Sequence, residues 1–151
     1  MKNNRRFRCA AVLGVMAVAM ASAWADEVRL KLSGGEEVPP VATSAAGEGV
    51  LTVNPDMTVN GGIATTGIVA TMAHIHIGKA GANGPVAITL TRSGDNGWAV
   101  PAGAKFTEAQ YQAYLAGDLY VNVHSAEHKG GEIRAQLKRP AMASMPKAGG
   151  Y

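Results

Sequence analysis

The sequence contains a single cysteine, Cys9, among its 151 residues. Cys9 lies in an N-terminal segment that we expect to be removed. The mature chain would then have no disulfide and no thiolate to offer a metal. Its stability must therefore come from a hydrophobic core.

The sequence also lacks an apolar run of the ~20 residues that a membrane-spanning helix needs. The apolar run at residues 9–21 is shorter and follows the basic residues Lys2, Arg5, Arg6 and Arg8. Ala23-Trp24-Ala25 after it fits an A-x-A cleavage site. This pattern predicts a signal peptide over residues 1–25, export to the periplasm or beyond, and no membrane span after cleavage. The Arg5-Arg6 pair leaves the twin-arginine route open beside the general secretory route.

A strong charge of either sign is missing from the mature chain. The whole sequence carries 14 Lys and Arg against 11 Asp and Glu, but four of the basic residues lie in residues 1–25. The remainder has 10 basic and 11 acidic residues, a formal charge of −1. We therefore predict no affinity for nucleic acid, since no basic surface remains to attract it.

Short segments of alternating apolar and polar residues run through the rest of the chain. Val28, Leu30 and Leu32 alternate with polar neighbours, and similar alternation recurs between turns rich in Gly, Pro, Asn and Asp. Such spacing is typical of antiparallel strands. It predicts an all-β fold, an antiparallel Greek-key-like β-sandwich or barrel. About 126 residues suffice for one domain, here residues 26–139, followed by a flexible tail at 140–151.

One short helix is predicted at Glu108–Ala116. Thr107 and Gln110 have the spacing of a capping box, and Gly117 stands where a left-handed C-terminal residue belongs. Phe106 and Tyr111 occupy the positions of a hydrophobic staple.

Three of the four histidines share one strand parity. In a strand, alternate side chains point to opposite faces, so His74 and His76 lie opposite Ile75, and His124 lies opposite Val123. If the two strands are neighbours, three imidazoles converge outside the core, at the surface. Imidazole is the commonest protein ligand for transition metals. The pattern indicates a metal site, copper in preference to zinc, to which Met72 and His128 could add ligands.

The same histidines could instead be structural. Ring N–H groups could bond loop carbonyls and hold the tight turn that follows the first histidine strand. Asn122, Glu132 and Arg134 would join them in a polar network. The turn residues are Gly81, Asn83, Gly84 and Pro85. Glu36-Glu37, ahead of Val38-Pro39-Pro40, are expected in a solvated loop.

Four motifs resemble the CHRD domain, a module named for chordin that also occurs alone in exported bacterial proteins. They are LSGGEEVPPV at 32–41, AHIHIG with the following G-x-N-G-P-V turn, LYVNVHS at 119–125, and GGEIR at 130–134. They stand in the family's order and cover about residues 28–138. The resemblance implies a β architecture and an extracytoplasmic location, and it implies little about activity.

Two functions remain from the sequence. The first is an exported metal-binding protein. The second is a non-catalytic module that binds a protein or polysaccharide outside the cytoplasm, with structural histidines. No Ser–His–Asp arrangement, phosphate-binding loop or hydrolase-like carboxylate pair is present, so we predict no enzymatic activity. Dismutase-like redox chemistry is a distant third, because the chain lacks ligands for a second, zinc-like site.

Overall fold

A computed structural model describes residues 24–140 and shows nine strands, one short 3-10 turn and one helix. The elements in chain order are β1 Asp26–Ser33, the 3-10 turn Gly34–Glu36, β2 Ala46–Val53, β3 Val59–Thr66, β4 Ala70–Ile77, β5 Val86–Thr89, β6 Thr91–Ser93, β7 Gly97–Ala99, α1 Glu108–Ala116, β8 Leu119–Ser125 and β9 Ile133–Gln136.

All nine strands form one antiparallel sheet that curls into a nearly closed barrel. The strand order is β5-β4-β8-β9-β1-β2-β3-β7-β6. The all-β prediction is confirmed. The order also makes β4 and β8 direct neighbours, although more than 40 residues separate them in the chain, and this pairing positions the histidines.

The inward parity of the strands is as the sequence predicts. Ile75, Val121, Val123, Ile133 and Leu137 are each 0% exposed. Ile77 was expected to be buried with them, but it is half-buried because β4 ends there, although it still packs against the core.

Helix α1 covers the predicted residues, Glu108–Ala116. The hydroxyl of Thr107 accepts a hydrogen bond from the Gln110 N–H, and the Gln110 side chain accepts one from the Thr107 N–H. Gly117 has a φ of 77°, the left-handed conformation that glycine adopts without strain. The capping box and the C-terminal glycine thus fix both ends of the helix.

The second face of the histidine strands is covered, which corrects the expectation that it is a surface. Every residue of β8 is buried. The cover consists of three loops: residues 34–45, which we call the strap, residues 78–85, and residues 126–132. Polar side chains of β4, β8 and β9 and these loops together form what we call the polar layer.

The predicted signal peptide falls mainly on residues 1–23 and the predicted tail mainly on residues 141–151, and both of these ranges lie outside the described residues. Within residues 24–140, no helix is long and apolar enough to cross a membrane.

Candidate metal centre

The pairing of β4 with β8 sets the three histidines on one patch of the sheet. The strands are antiparallel, with Met72 opposite His124, His74 opposite Asn122, and His76 opposite Tyr120. Residues directly opposite each other on neighbouring strands point to the same face. The predicted convergence of His74, His76 and His124 therefore follows from register alone.

The imidazoles are close enough to share one small ligand. Nδ1 of His74 lies 2.9 Å from Nε2 of His124. The ring centroid of His74 lies 5.4 Å from that of His76 and 4.8 Å from that of His124. One nitrogen from each ring can be chosen so that all three lie within 4.8 Å of one another.

Loop carbonyls determine which nitrogen carries the proton in two of the rings. Nδ1 of His76 lies 2.9 Å from the carbonyl oxygen of Gly84, and Nδ1 of His124 lies 2.8 Å from that of Lys129. A carbonyl oxygen can only accept, so each Nδ1 carries a hydrogen and each neutral ring keeps a lone pair on Nε2. His74 then donates its Nδ1–H to Nε2 of His124.

The Nε2 atom of His76 is buried and has no hydrogen-bond partner among the described residues. A buried polar atom without a partner loses its hydration without compensation. The Nε2 lone pair of His76 is therefore free to bind a ligand.

Burial disfavours the charged form of two of the three rings. It lowers the pKa of His74, and the neighbouring His124 and His76 lower that pKa further. Burial also lowers the pKa of His124, and this outweighs the opposing effect of its hydrogen bond to the Lys129 carbonyl. Neutral imidazole is the form that binds metal.

A stack of side chains fixes the orientation of His76. Its ring lies parallel to that of Tyr120, within 5°, at a centroid distance of 4.9 Å. The guanidinium of Arg134 lies over the Tyr120 ring, with Cζ 3.5 Å from the ring centroid. The Tyr120 hydroxyl accepts a hydrogen bond from the Gly84 N–H at 3.2 Å. The orientation of His76 is thus fixed by the Tyr120 ring on one face and by the Gly84 carbonyl at Nδ1.

The cluster is mostly buried, contrary to the surface location predicted from the strand pattern. His76 is 8% and His124 is 6% exposed, and His74 is half-buried. Met72, on the same face and opposite His124, is 48% exposed. The site therefore opens to solvent at the His74 and Met72 side.

The fourth histidine is not part of the group. His128 lies in the loop 126–132, near Glu132. Burial raises the pKa of the Glu132 carboxyl, but hydrogen bonds from Ser125 and Thr43, followed by the charge of His128, outweigh it and lower that pKa. The three-histidine group of the described residues does not include it.

The residues predicted for a structural network also occupy the polar layer. Arg134 donates to the Lys79 carbonyl and to the Asn83 side chain, and Asn83 in turn donates to the Val38 carbonyl. Asn122 donates to the Gly130 carbonyl.

Two further contacts fix the covering loops. Glu132 accepts a hydrogen bond from the Thr43 hydroxyl. Gly84 is packed so closely against the Ile77 carbonyl that a side chain there would overlap it. These contacts tie the three covering loops to the sheet.

Glu37 is a member of the polar layer that the sequence did not reveal. It was expected in a solvated loop but is 4% exposed, whereas its neighbour Glu36 is exposed. Burial raises the pKa of Glu37 to about 7, against the opposing effect of Arg134. Nothing in the sequence distinguishes the two adjacent glutamates. The path of the strap turns Glu37 inward and leaves Glu36 in solvent.

The fold and site define a small antiparallel β-barrel with a buried polar layer and a cluster of three histidines. A family profile described as the CHRD domain matches residues 28–137. The chain belongs to the CHRD domain family. No curated protein and no solved structure matches it.

Proposed function

We propose that this chain is an exported CHRD-domain protein that binds a transition metal ion, copper in preference to zinc, through His74, His76 and His124. The observation that carries the proposal is the convergence of three imidazoles, at least two of them held neutral, with the buried Nε2 of His76 unpartnered.

The nitrogen spacing suits a metal with little rearrangement. Metal–imidazole bonds are about 2.0–2.1 Å long. Nδ1 of His74 and Nε2 of His124, which are 2.9 Å apart, would subtend about 90° at the ion once the ring hydrogen of His74 has moved from Nδ1 to Nε2. The largest spacing in the group, 4.8 Å, must close by about 0.6 Å to bring both nitrogens within reach of one ion.

The ligand types favour copper. Affinity at a nitrogen site rises along the divalent series to Cu²⁺ and falls again at Zn²⁺, and angles near 90° are typical of tetragonal Cu²⁺. The exposed thioether of Met72, on the same face, is a soft ligand that suits Cu⁺. Zn²⁺ is the alternative occupant.

The hydrogen bonds of the cluster also resemble those of known metal sites in general. Histidine ligands usually donate their second N–H to a carbonyl or carboxylate, which fixes the tautomer and the ring orientation. His76 and His124 each do so through Nδ1, to Gly84 and Lys129.

Export is the second part of the proposal. It is supported by the four basic residues, the apolar run and the A-x-A motif within residues 1–25. Expression of the full sequence in a bacterium, followed by fractionation and N-terminal sequencing, tests it. We expect periplasmic or secreted protein that begins at Asp26, whereas unprocessed protein in the cytoplasm would contradict export.

Metal binding is tested on protein comprising residues 26–151. The protein is loaded with Cu(II) or Zn(II), dialysed, and analysed for bound metal per chain. We expect one ion in the parent and none in His74→Ala. His74 is the right residue to change because it is half-buried and contacts no covering loop through a ring nitrogen.

His128→Ala is the matched control, since it removes a half-buried histidine outside the group. It should bind as the parent does. Equal binding by His74→Ala and the parent would contradict the proposed site.

The second candidate is a non-catalytic module that binds a protein or polysaccharide, with structural histidines. The hydrogen bonds from His76 and His124 to loop carbonyls favour it. This candidate predicts no stoichiometric metal in the parent, together with a loss of stability in His76→Ala. A parent that retains one ion per chain after dialysis would reject it.

A further inference from the structure

Besides the histidines, the polar layer contains the buried carboxyl group of Glu37, which can become negatively charged. The strap folds over the sheet and carries this side chain inward, where it is 4% exposed. Its Oε1 atom is buried and has no hydrogen-bond partner among residues 24–140. An ionised carboxylate in that position would be poorly satisfied.

Glu37 lies near the histidines. A Cβ atom placed on Gly131 would lie 2.5 Å from Oε1 of Glu37 and 2.5 Å from Nδ2 of Asn122, so these two atoms are no more than about 5 Å apart. Asn122 is the direct partner of His74 across the β4–β8 pairing. One amide side chain therefore separates the carboxyl group from the cluster.

Gly131 leaves room for the side chains of Glu37 and Asn122. Its φ of 131° is one that residues with a side chain rarely adopt, and any side chain there would overlap Glu37 and Asn122. The chain thus accommodates a buried carboxyl group at this point of the layer.

The charge balance of an occupied site requires an anion. Imidazole binds metal in its neutral form and contributes no charge, so a divalent ion would bring +2 into a layer that already holds the guanidinium of Arg134. Burying unbalanced charge is costly. The other buried carboxyl of the layer, Glu132, is held by Thr43 and Ser125, and the pKa of Glu132 is already lowered. Glu37 is the buried group whose charge can still change.

We propose, on the basis of the proposed metal site, that Glu37 is its charge-compensating residue. The carboxyl is protonated when the site is empty, and its O–H bond breaks and the proton leaves to solvent when a divalent cation binds. No electron is transferred, and the carboxylate left behind offsets one of the two new positive charges.

The groups that face Glu37 support this exchange. β9 contributes the Arg134 guanidinium, β8 the neutral Asn122 amide, and the strap the Val38 N–H. Burial outweighs all three and raises the pKa of Glu37 to about 7. A divalent charge within about 10 Å would return that pKa to well below neutral.

The test is isothermal titration calorimetry with Cu(II) in two weakly coordinating buffers of different ionisation enthalpy, which counts the protons released per ion. Parent, Glu37→Gln and the control Glu36→Gln are compared. With a pKa of about 7, the parent should release about three quarters of a proton more than Glu37→Gln at pH 6.5, and about one tenth more at pH 8. Glu36→Gln should match the parent, because Glu36 is exposed.

Equal proton release by the parent and Glu37→Gln at pH 6.5 overturns the role of Glu37 and leaves the histidine site standing. A parent that binds no Cu(II) overturns both. If Glu37→Gln does not fold, infrared difference spectra of the parent decide. The C=O band of a protonated carboxylic acid at pH 6.5 should disappear when Zn(II) is added, and a band that is absent or unchanged refutes the proposal.

Discussion

Replacing Glu37 by Gln should stabilise the protein, and the gain should grow with pH. Gln has nearly the shape of the protonated carboxyl group and cannot ionise. Burial raises the pKa of Glu37 from 4.5 to about 7 in the folded protein. Between these values the folded state binds more protons than the unfolded state, so the parent loses stability as pH rises from about 4.5 through 7.

The magnitude follows from the size of the pKa difference. Each pKa unit corresponds to about 1.4 kcal/mol. A carboxyl with these two pKa values would destabilise the folded parent by at most about 1 kcal/mol at pH 5 and about 3 kcal/mol at pH 8, relative to a group that does not titrate, because solvent screening reduces the effect. Glu37→Gln should be more stable than the parent by up to these amounts.

Urea denaturation at pH 5 and pH 8, without metal, measures the effect. Glu36→Gln removes a carboxylate from the neighbouring exposed position of the strap, and as the control it should match the parent at both pH values. A gain in Glu37→Gln that is the same at both pH values would refute the reasoning, because it would mean that the carboxyl titrates normally. A loss of stability at pH 8 would mean that its ionised form is held by Arg134.

Three further predictions concern the core, the loop and the site. Val123→Ala should lower the free energy of unfolding by about 2–4 kcal/mol in urea, because it empties a fully buried position; an unchanged midpoint would contradict the strand parity. Gly131→Ala should lower it by at least about 1 kcal/mol, since φ is 131° and the new methyl group meets Glu37. Metal affinity, measured by competition with a chelator, should persist at pH 6.5 and fall at lower pH, because the pKa values of His74 and His124 are lowered. Loss of binding already above pH 7 would contradict this prediction.

The local features of the fold could be predicted because they depend on neighbours in sequence. The parity that buries Ile75 and Val123 is set by strand geometry, and the helix limits are set by Thr107 and Gly117. The convergence of the histidines needed one further fact, the adjacency of β4 and β8, which the sequence allowed but did not determine.

The burial of the polar layer could not be predicted because it depends on loops far apart in the chain. Thr43 bonds Glu132 across 89 positions, and Asn83 bonds Val38 across 45. A strand pattern of alternating polar residues suggests a solvated face unless such loops are known. For the same reason the sequence could not show that Glu37 is buried while Glu36 is exposed.

The two interpretations of the histidines are compatible once the ring nitrogens are considered separately. In His76 and His124, Nδ1 bonds a loop carbonyl, which leaves Nε2 as the nitrogen that can bind a metal. A metal ion would use only the Nε2 side and would leave the loop bonds intact, as in the usual arrangement of histidine ligands. Loop cover in turn keeps the rings neutral, since it supplies the burial that lowers the pKa of His124. The contacts that hold the strap and loops in place are therefore the same contacts that prepare the imidazoles to bind a cation.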